Sequence, residues 1–451
     1  MRAAGVEAGF RRTLAGSVIG AVLEWYEFAV YGALAATVFA GQFFPASAPH
    51  TGILLAFGTQ AVGFAARPLG GIFFGHLGDR IGRKPMLVAT YMTLALATAG
   101  IGVLPTYASW GLAAPILLVV LRLIQGFALG GEFGAAVTLV SEYAPPDQRG
   151  RWAALPQAGG PAGTIIAAGV LSLLGASLSK ASFDAWGWRV AFLIAIPLLL
   201  VGAWIRRGVE ESPTFIAAAA ARAARMRSTS TATSTSTSSS SSSSSPSPSS
   251  SVLEALRYPR PLLQGLGVRI GENVAFYVYT VFVIAYATKT LSFALPDVLE
   301  AVLVAAICQF FAVLIGGWLS DIVGRKPVMI AAALGLAAWA PIFFLLARQE
   351  SLALLYIGIC TATFLHGLLA GPEAAWITEL FPTRHRFAGS SLAYQGSSII
   401  AGGPAPLIAA ALMGTSGTTT PVAFYLALCA LISVIAVATG PETRGRDLSA
   451  Y

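Results

Sequence analysis

Apolar residues in this chain come in about twelve runs of roughly 20, the length an α-helix needs to cross a hydrocarbon core about 30 Å thick. In chain order the first runs cover Leu14 to Ala40, Gly52 to Phe74, Met86 to Leu104, Pro115 to Val140 and Trp152 to Leu174. A sixth opens at Trp186 and closes near Arg207. A second series covers Leu263 to Thr288, Val298 to Leu314, a run after Pro327, Leu354 to Ala370, a run after Arg386 and finally Val422 to Ala438. The in/out alternation of a membrane barrel is absent. The pattern predicts an all-α membrane protein with twelve transmembrane helices in two six-helix bundles.

The two series are related by an internal repeat. Gly75 to Pro85 reads G-H-L-G-D-R-I-G-R-K-P, and Gly317 to Pro327 reads G-W-L-S-D-I-V-G-R-K-P. Each copy lies between two apolar runs and reads as a short charged turn joining two membrane helices. The glycines allow tight backbone geometry, the aspartate can face the positive end of another helix, and the basic residues can pair with acids. Gly75, Asp79 and Arg83 in the first copy, and Asp321 and Arg325 in the second, therefore form a candidate cytoplasmic gate. Glu142 and Glu379, which open the turns before the fifth and eleventh helices, complete it.

Composition supports a lipid environment: 56% of the 451 residues are hydrophobic and 11% are charged, and mean hydropathy is +0.73. The net charge of +8 is distributed by topology, so it does not indicate a nucleic-acid partner. With the N-terminus inside, Arg80, Arg83, Lys84, Arg149, Arg151, Arg206, Arg207, Arg325, Lys326, Arg384 and Arg386 share one side with it. The opposite side has Lys180, Lys289 and Arg348, as the positive-inside rule requires. Both termini are expected in the cytoplasm of a bacterial-type cell, with the chain a multi-pass protein of the inner membrane. Trp186-Gly187-Trp188-Arg189 suits an aromatic belt at the outer interface. Residues 206–257, nearly unbroken Ser/Thr from Ser228 to Ser251, cannot bury enough apolar area to fold. They read as a disordered cytoplasmic linker between an N-terminal bundle at 1–205 and a C-terminal bundle at 258–451. Cys308, Cys360 and Cys429 lie in apolar runs without ligand spacing, so neither a metal site nor a disulfide is expected.

Ionisable residues inside such runs are functional candidates by default. Glu24 and Glu27 are three apart on the first helix, so both can face the bundle interior. Arg122 cannot shed its charge and needs a partner: Glu24, Glu27, Glu132 or an anionic ligand. These four residues are the candidate proton-coupling set. Tyr26, Tyr31, Arg122 and Gln125, with Arg269, Glu272, Asn273 and Tyr277 of the seventh helix, are candidate solute contacts. Arg269 and Glu272 can equally pair with each other at i, i+3. His366 reads as a packed polar residue or a proton relay, and Glu373 as lying just beyond the tenth helix. No convergent nucleophile or metal set argues for an enzyme, and no filter or charged ring argues for a channel.

The ordered set Glu24-Trp25-Tyr26-Glu27-Phe28, Arg67-Pro68-Leu69-Gly70-Gly71, the two gate copies, Arg122-Leu123-Ile124-Gln125-Gly126, Gly130-Gly131-Glu132, Glu379-Leu380-Phe381-Pro382 and Pro441-Glu442-Thr443 resembles the major facilitator superfamily, more narrowly its metabolite:proton symporter branch. The resemblance implies two bundles around a central site that opens alternately to each side. It also implies proton-coupled import of a small organic solute: a carboxylate such as citrate, 2-oxoglutarate or shikimate, or a zwitterion such as proline or betaine. Carried onto this chain, the helix-1 acids and Arg122 form the proton and solute site, and Asp79 and Asp321 the latch. Glu27 stands where the branch usually has Asp, and Ala21 where it often has Asn. The implied partners are the solute, protons and the lipid bilayer, with no nucleic acid, no cofactor beyond the proton gradient, and a single chain as the working unit. An effluxer or a non-transporting solute sensor on the same fold stays open.

Overall fold

A hydrocarbon environment leaves a helix as the economical way to satisfy every backbone N–H and C=O, and the chain folds accordingly. The computed structural model describes residues 2–45, 49–81, 83–130, 140–141, 144–207, 258–382 and 386–446. Of the expected linker at 206–257, Arg206 and Arg207 belong to the sixth helix, and 208–257 lies outside the described residues. The spans of the first bundle are α1 (Arg2–Leu34), α2 (Pro49–Ile81), α3 (Arg83–Val103), α4 (Ala113–Leu129), α5 (Arg149–Ser177) and α6 (Trp188–Arg207). Those of the second are α7 (Pro259–Tyr277), α8 (Leu295–Val323), α9 (Arg325–Ala347), α10 (Leu352–Leu380), α11 (Arg386–Ser397) and α12 (Thr420–Thr439). Three spans continue through a π-helical turn: α1 at Ala35–Phe39, α7 at Val278–Phe282 and α11 at Ser398–Gly402. That α1 and α7 open their respective bundles and share this interruption extends the internal repeat beyond the gate motif.

Burial separates central from peripheral helices. In the most apolar 18 residues of Pro259–Lys289, which takes in α7 and its continuation, 94% are buried, against 44% in the most apolar 18 of Thr420–Thr439, so α7 lines the centre and α12 meets lipid. Phe424, Leu428 and Ile435 of α12 are exposed, as a lipid-facing surface requires. Between bundles, α5 packs on α8 and α10, the helical stretch Pro404–Ser416 that follows α11 on α2, and the π-turn of α7 on α1.

Within the first bundle, α2 and α4 approach at backbone contact. A Cβ at Gly126 would overlap the Gly63 carbonyl, and one at Gly70 would overlap that of Phe127. Small residues at such crossings are how membrane helices pack without a hydrophobic drive between them. Gly126→Val should therefore destabilise the fold by about 3 kcal/mol. The expected readout is loss of the monodisperse peak in detergent size-exclusion chromatography.

The gate motif differs from the expected charged turn. α2 runs on to Ile81 and α8 to Val323, so Gly317 to Asp321 form the last turns of a helix. The reversal is confined to Gly324, at φ +107°, where a side chain is strained and a Cβ would lie 2.8 Å from Glu442 Oε2. Likewise α10 passes through Pro372 to Leu380. Glu373 and Glu379 are thus helical residues, contrary to the loop positions read from sequence. Trp188 is fully buried among Phe39, Phe43 and Phe192, so only the half-exposed Trp186 is available for the expected belt.

Candidate functional site

The helix-1 acids are both buried, but they face different neighbours. Glu24 Oε1 pairs with Arg67 Nη2 of α2 at 2.9 Å, and that guanidinium is sandwiched between the Phe28 and Phe64 rings, 4.6 Å from each centroid. Glu27 points to α3 and accepts from the Thr98 hydroxyl. Thr98 in turn accepts from Gln125 Nε2 at 2.8 Å, and Gln125 Oε1 accepts from Arg122 Nη1 at 2.8 Å. Arg122 lies over the Tyr31 ring at 3.8 Å, and Tyr31 is held by Thr59.

No direct Arg122–carboxylate bridge occurs among the described residues. The arginine reaches Glu27 through a chain of two neutral side chains, and the direct ion pair belongs to Arg67. Tyr26 turns into the bundle and donates to the Ala191 carbonyl at 2.7 Å. Glu132 lies outside the described residues.

The second bundle builds a denser cluster. Arg269 Nη1 lies 3.1 Å from Glu272 Oε2 and 3.4 Å from Glu373 Oε2, so the anticipated i, i+3 pair forms and is joined by a carboxylate from α10. Glu272 Oε1 is 3.2 Å from His366 Nε2, and His366 Nδ1 is 2.7 Å from Gln309 Nε2. Arg269 also stacks on Tyr394 at 4.3 Å. Asn273 donates to the Arg269 carbonyl at 2.8 Å and reaches Ser397 Oγ at 3.5 Å.

These two ion-pair systems face one cavity. Its walls are Glu24, Trp25 and Arg67 from the first bundle, and Arg269, Asn273, Tyr277, Tyr394, Gln395 and Ser398 from the second. A neighbouring cavity lined by Phe28, Ala33, Thr164, Phe276, Tyr277, Val281 and Val302, among others, is mostly apolar and carries no charge, so recognition chemistry belongs to the charged one. Tyr277 lines both and forms the partition between them. Arg122, Gln125, Tyr31 and Tyr26 line neither, and stand behind the wall of the first bundle.

At the face where the C-terminal segment emerges, the second gate copy forms a latch between bundles. Asp321 Oδ1 and Oδ2 accept from the Gly150 and Arg151 backbone N–H groups, each at 2.9 Å. This occupies the orphan donors and positive end of α5 from across the bundle interface. Arg325 holds Asp321 at 2.5 Å and lies 3.5 Å from Glu379 Oε1, which also faces Arg149 at 3.9 Å. The side chains of Asp79 and Arg83, the position of Gly75 beyond its helical backbone, and Glu142 all lie outside what the structure describes, so only the second copy of the gate is seen.

The C-terminal segment completes this latch, with a contribution that sequence reasoning did not assign. Thr443 donates to Glu379 Oε2 at 2.6 Å, and Arg149 donates to the Arg446 carbonyl at 2.6 Å. Glu442 accepts from the backbone N–H groups of Arg325, Lys326, Thr443 and Arg444 at 2.9–3.0 Å. Burial alone would raise its pKa, but these donors outweigh it and hold the carboxyl below its ordinary value. A depressed carboxyl contributes docking fully above the ordinary range, and the contribution is lost as pH falls through the folded-state value. A nitroxide at Arg444→Cys should therefore gain mobility on acidification, and Glu442→Gln should show that mobility already at pH 7. The only sequence signal was the Pro441-Glu442-Thr443 motif, which named the residue without naming its partner.

Comparison with known proteins agrees with this architecture. The family model described as "Sugar (and other) transporter" matches residues 14–451. The shikimate transporter of Escherichia coli is 36% identical over 94% of this chain and 93% of its own length. The proline/betaine transporter of Escherichia coli is 31% identical over 97% of this chain and 85% of its own. Among solved structures, a D-xylose-proton symporter superposes with a TM-score of 0.72 at 18% identity, covering 97% of this chain and 99% of that one. The partially occluded inward-open xylose transporter of Escherichia coli gives 0.73 at 16%, covering 98% and 100%. With twelve spans in two bundles, a charged cavity between them and relatives of this kind, the chain belongs to the sugar (and other) transporter family of the major facilitator superfamily, and it is a membrane transporter, not an enzyme.

Proposed function

We propose that this protein is a proton-coupled symporter that imports a small carboxylate by alternating access, with its termini in the cytoplasm of the cell that makes it. One observation carries the reading: Arg67 and Arg269, one from each bundle, line the same cavity, Arg67 paired with one carboxylate and Arg269 with two. An arginine fork suits a carboxylate geometrically, and a buried arginine can accept a solute's charge only when its internal partner lets go. Protonating Glu24 releases Arg67. Glu27, linked through Thr98 and Gln125 to Arg122, is placed to sense the same proton. Filling the cavity with a neutralised set of charges lowers the cost of closing the outer side and turning inward. The reading is supported by the shikimate transporter relative, shikimate being a carboxylate.

A zwitterion is the second reading, favoured by the Trp25 indole that lines the cavity and stacks with Tyr277 at 6.1 Å. Aromatic faces attract quaternary ammonium groups, and the proline/betaine transporter is a relative. Thermal unfolding of purified protein at pH 5.5 separates the two. A carboxylate substrate should raise Tm in a concentration-dependent way by mass action, with the shift lost in Arg67→Gln and in Arg269→Gln. Stabilisation by betaine alone contradicts the carboxylate assignment.

A further inference from the structure

We propose that Glu373 of α10 is a second proton-binding residue, in the C-terminal bundle and separate from the helix-1 acids, so that two protons accompany each solute. The inference rests on the proton-coupled reading above and adds to it a site and a stoichiometry.

The argument starts from charge. Glu272 and Glu373 both address the same nitrogen, Arg269 Nη1, and the side chains of Arg269, Glu272 and Glu373 are 5%, 7% and 0% exposed. One arginine with two ionised carboxylates leaves a net negative charge buried there. An uncompensated charge in such a site costs several kcal/mol, and one added proton removes it.

Geometry decides which carboxylate takes that proton. Gln309 Nε2 is a donor, so the His366 Nδ1 it faces at 2.7 Å is an acceptor. The imidazole hydrogen is then on Nε2, where it donates to Glu272 Oε1. Glu272 therefore accepts from His366 and makes the shorter contact to arginine, two interactions that favour its ionised form. Among the described residues Glu373 has a single polar contact, the longer one through Oε2, which is a hydrogen bond from Arg269 Nη1 at 3.4 Å. Its Oε1 is buried with no hydrogen-bond partner and no ion pair, whereas Glu272 Oε2, also without a hydrogen bond, lies in the closer ion pair at 3.1 Å. The ionisable groups around it are Arg269, Glu272 and Tyr277 on α7, Tyr394 on α11 and His366 on its own helix, with the neutral Gln309 contributed by α8.

The consequence follows from Arg269 lining the central cavity. While Glu373 carries a proton, Arg269 has one anionic partner and can present its remaining donors to a solute carboxylate. When the proton leaves to the interior, the carboxylate competes for Nη1 and displaces the solute. The proton is taken from water on one side and returned to water on the other, with no bond to the solute.

Glu373→Gln is the informative variant, because the amide reproduces the protonated acid and should not disturb folding. Infrared difference spectra of the purified protein, recorded as pH is raised, should show a carboxylic-acid carbonyl band, distinct from that of the helix-1 acids which both proteins keep, that disappears on deprotonation in wild type and is missing in E373Q. The same band in E373Q, or none in wild type, overturns the proposal whatever the solute. In liposomes with the membrane potential held at zero and shikimate as the probe, a gradient of one pH unit should support about 100-fold accumulation in wild type and about 10-fold in E373Q, each proton contributing a factor of ten. Equal, proton-driven accumulation in both refutes Glu373 alone and leaves the symporter reading standing. If uptake in wild type does not depend on the proton gradient, the symporter reading fails instead, and the infrared band still decides whether Glu373 holds a proton.

Discussion

Arg269→Ala is expected to reduce solute accumulation at least about 100-fold, with the protein still inserted in the membrane. Two losses combine. The solute carboxylate loses a charge-assisted donor in a water-poor cavity, an interaction whose removal costs about 1.5–3 kcal/mol. In addition, Glu272 and Glu373 lose their shared cation and neutralise by taking up protons, so the cluster no longer alternates between two charge states. Arg269→Lys separates these effects. It keeps the charge but not the planar fork that spans two carboxylates, and should retain a measurable fraction of uptake with weakened apparent affinity. Uptake assays on reconstituted protein, normalised to the amount inserted, check both variants. Wild-type accumulation in R269A would remove Arg269 from the transport site.

The second large effect is expected at the latch. Asp321→Asn removes the anionic partner of Arg325 and replaces two charge-assisted acceptors of the Gly150 and Arg151 N–H groups by one neutral carbonyl. These contacts join the bundles at the C-terminal face and must break when that face opens, so they stabilise the closed state selectively. A loss of about 2–4 kcal/mol moves the equilibrium toward the state open on that side by a factor of about 30–1,000. Nitroxides at Asp147→Cys and Arg444→Cys, one on each bundle at this face, should show a short distance in wild type and a longer, dominant one in D321N. Transport should slow, because returning to the outward-facing state becomes the costly step. An unchanged distance distribution would mean that Asp321 caps α5 without controlling access.

Much of this was readable from the chain. The spans follow from apolar runs because lipid imposes one solution on the backbone, and the repeat was visible because Gly324, which the reversal requires at positive φ, is shared with the first copy at Gly82. The ends of helices were read less well. Charges at Asp321 and Glu379 look like loop chemistry, yet both side chains are paired across an interface and stay helical. The tenth apolar run likewise ends at Ala370, whereas the helix continues through Pro372 to Leu380. Pairing between helices was the largest gap. Glu24 and Arg67 are joined only once α1 and α2 are folded together, and nothing local distinguishes that arrangement from the expected bridge to Arg122. Glu442 bonds the first turn of α9 from the far end of the sequence, a contact of the same long-range kind.

The most direct test of the account is proton movement on adding solute. Purified protein in liposomes carrying a luminal pH dye, challenged with shikimate, citrate, 2-oxoglutarate, proline and betaine, should acidify the lumen with a carboxylate and not with an unrelated solute. Arg67→Gln and Arg269→Gln should abolish the signal. If folded protein moves labelled carboxylate with no change in luminal pH, or moves no member of the panel, the proton-coupled importer is contradicted.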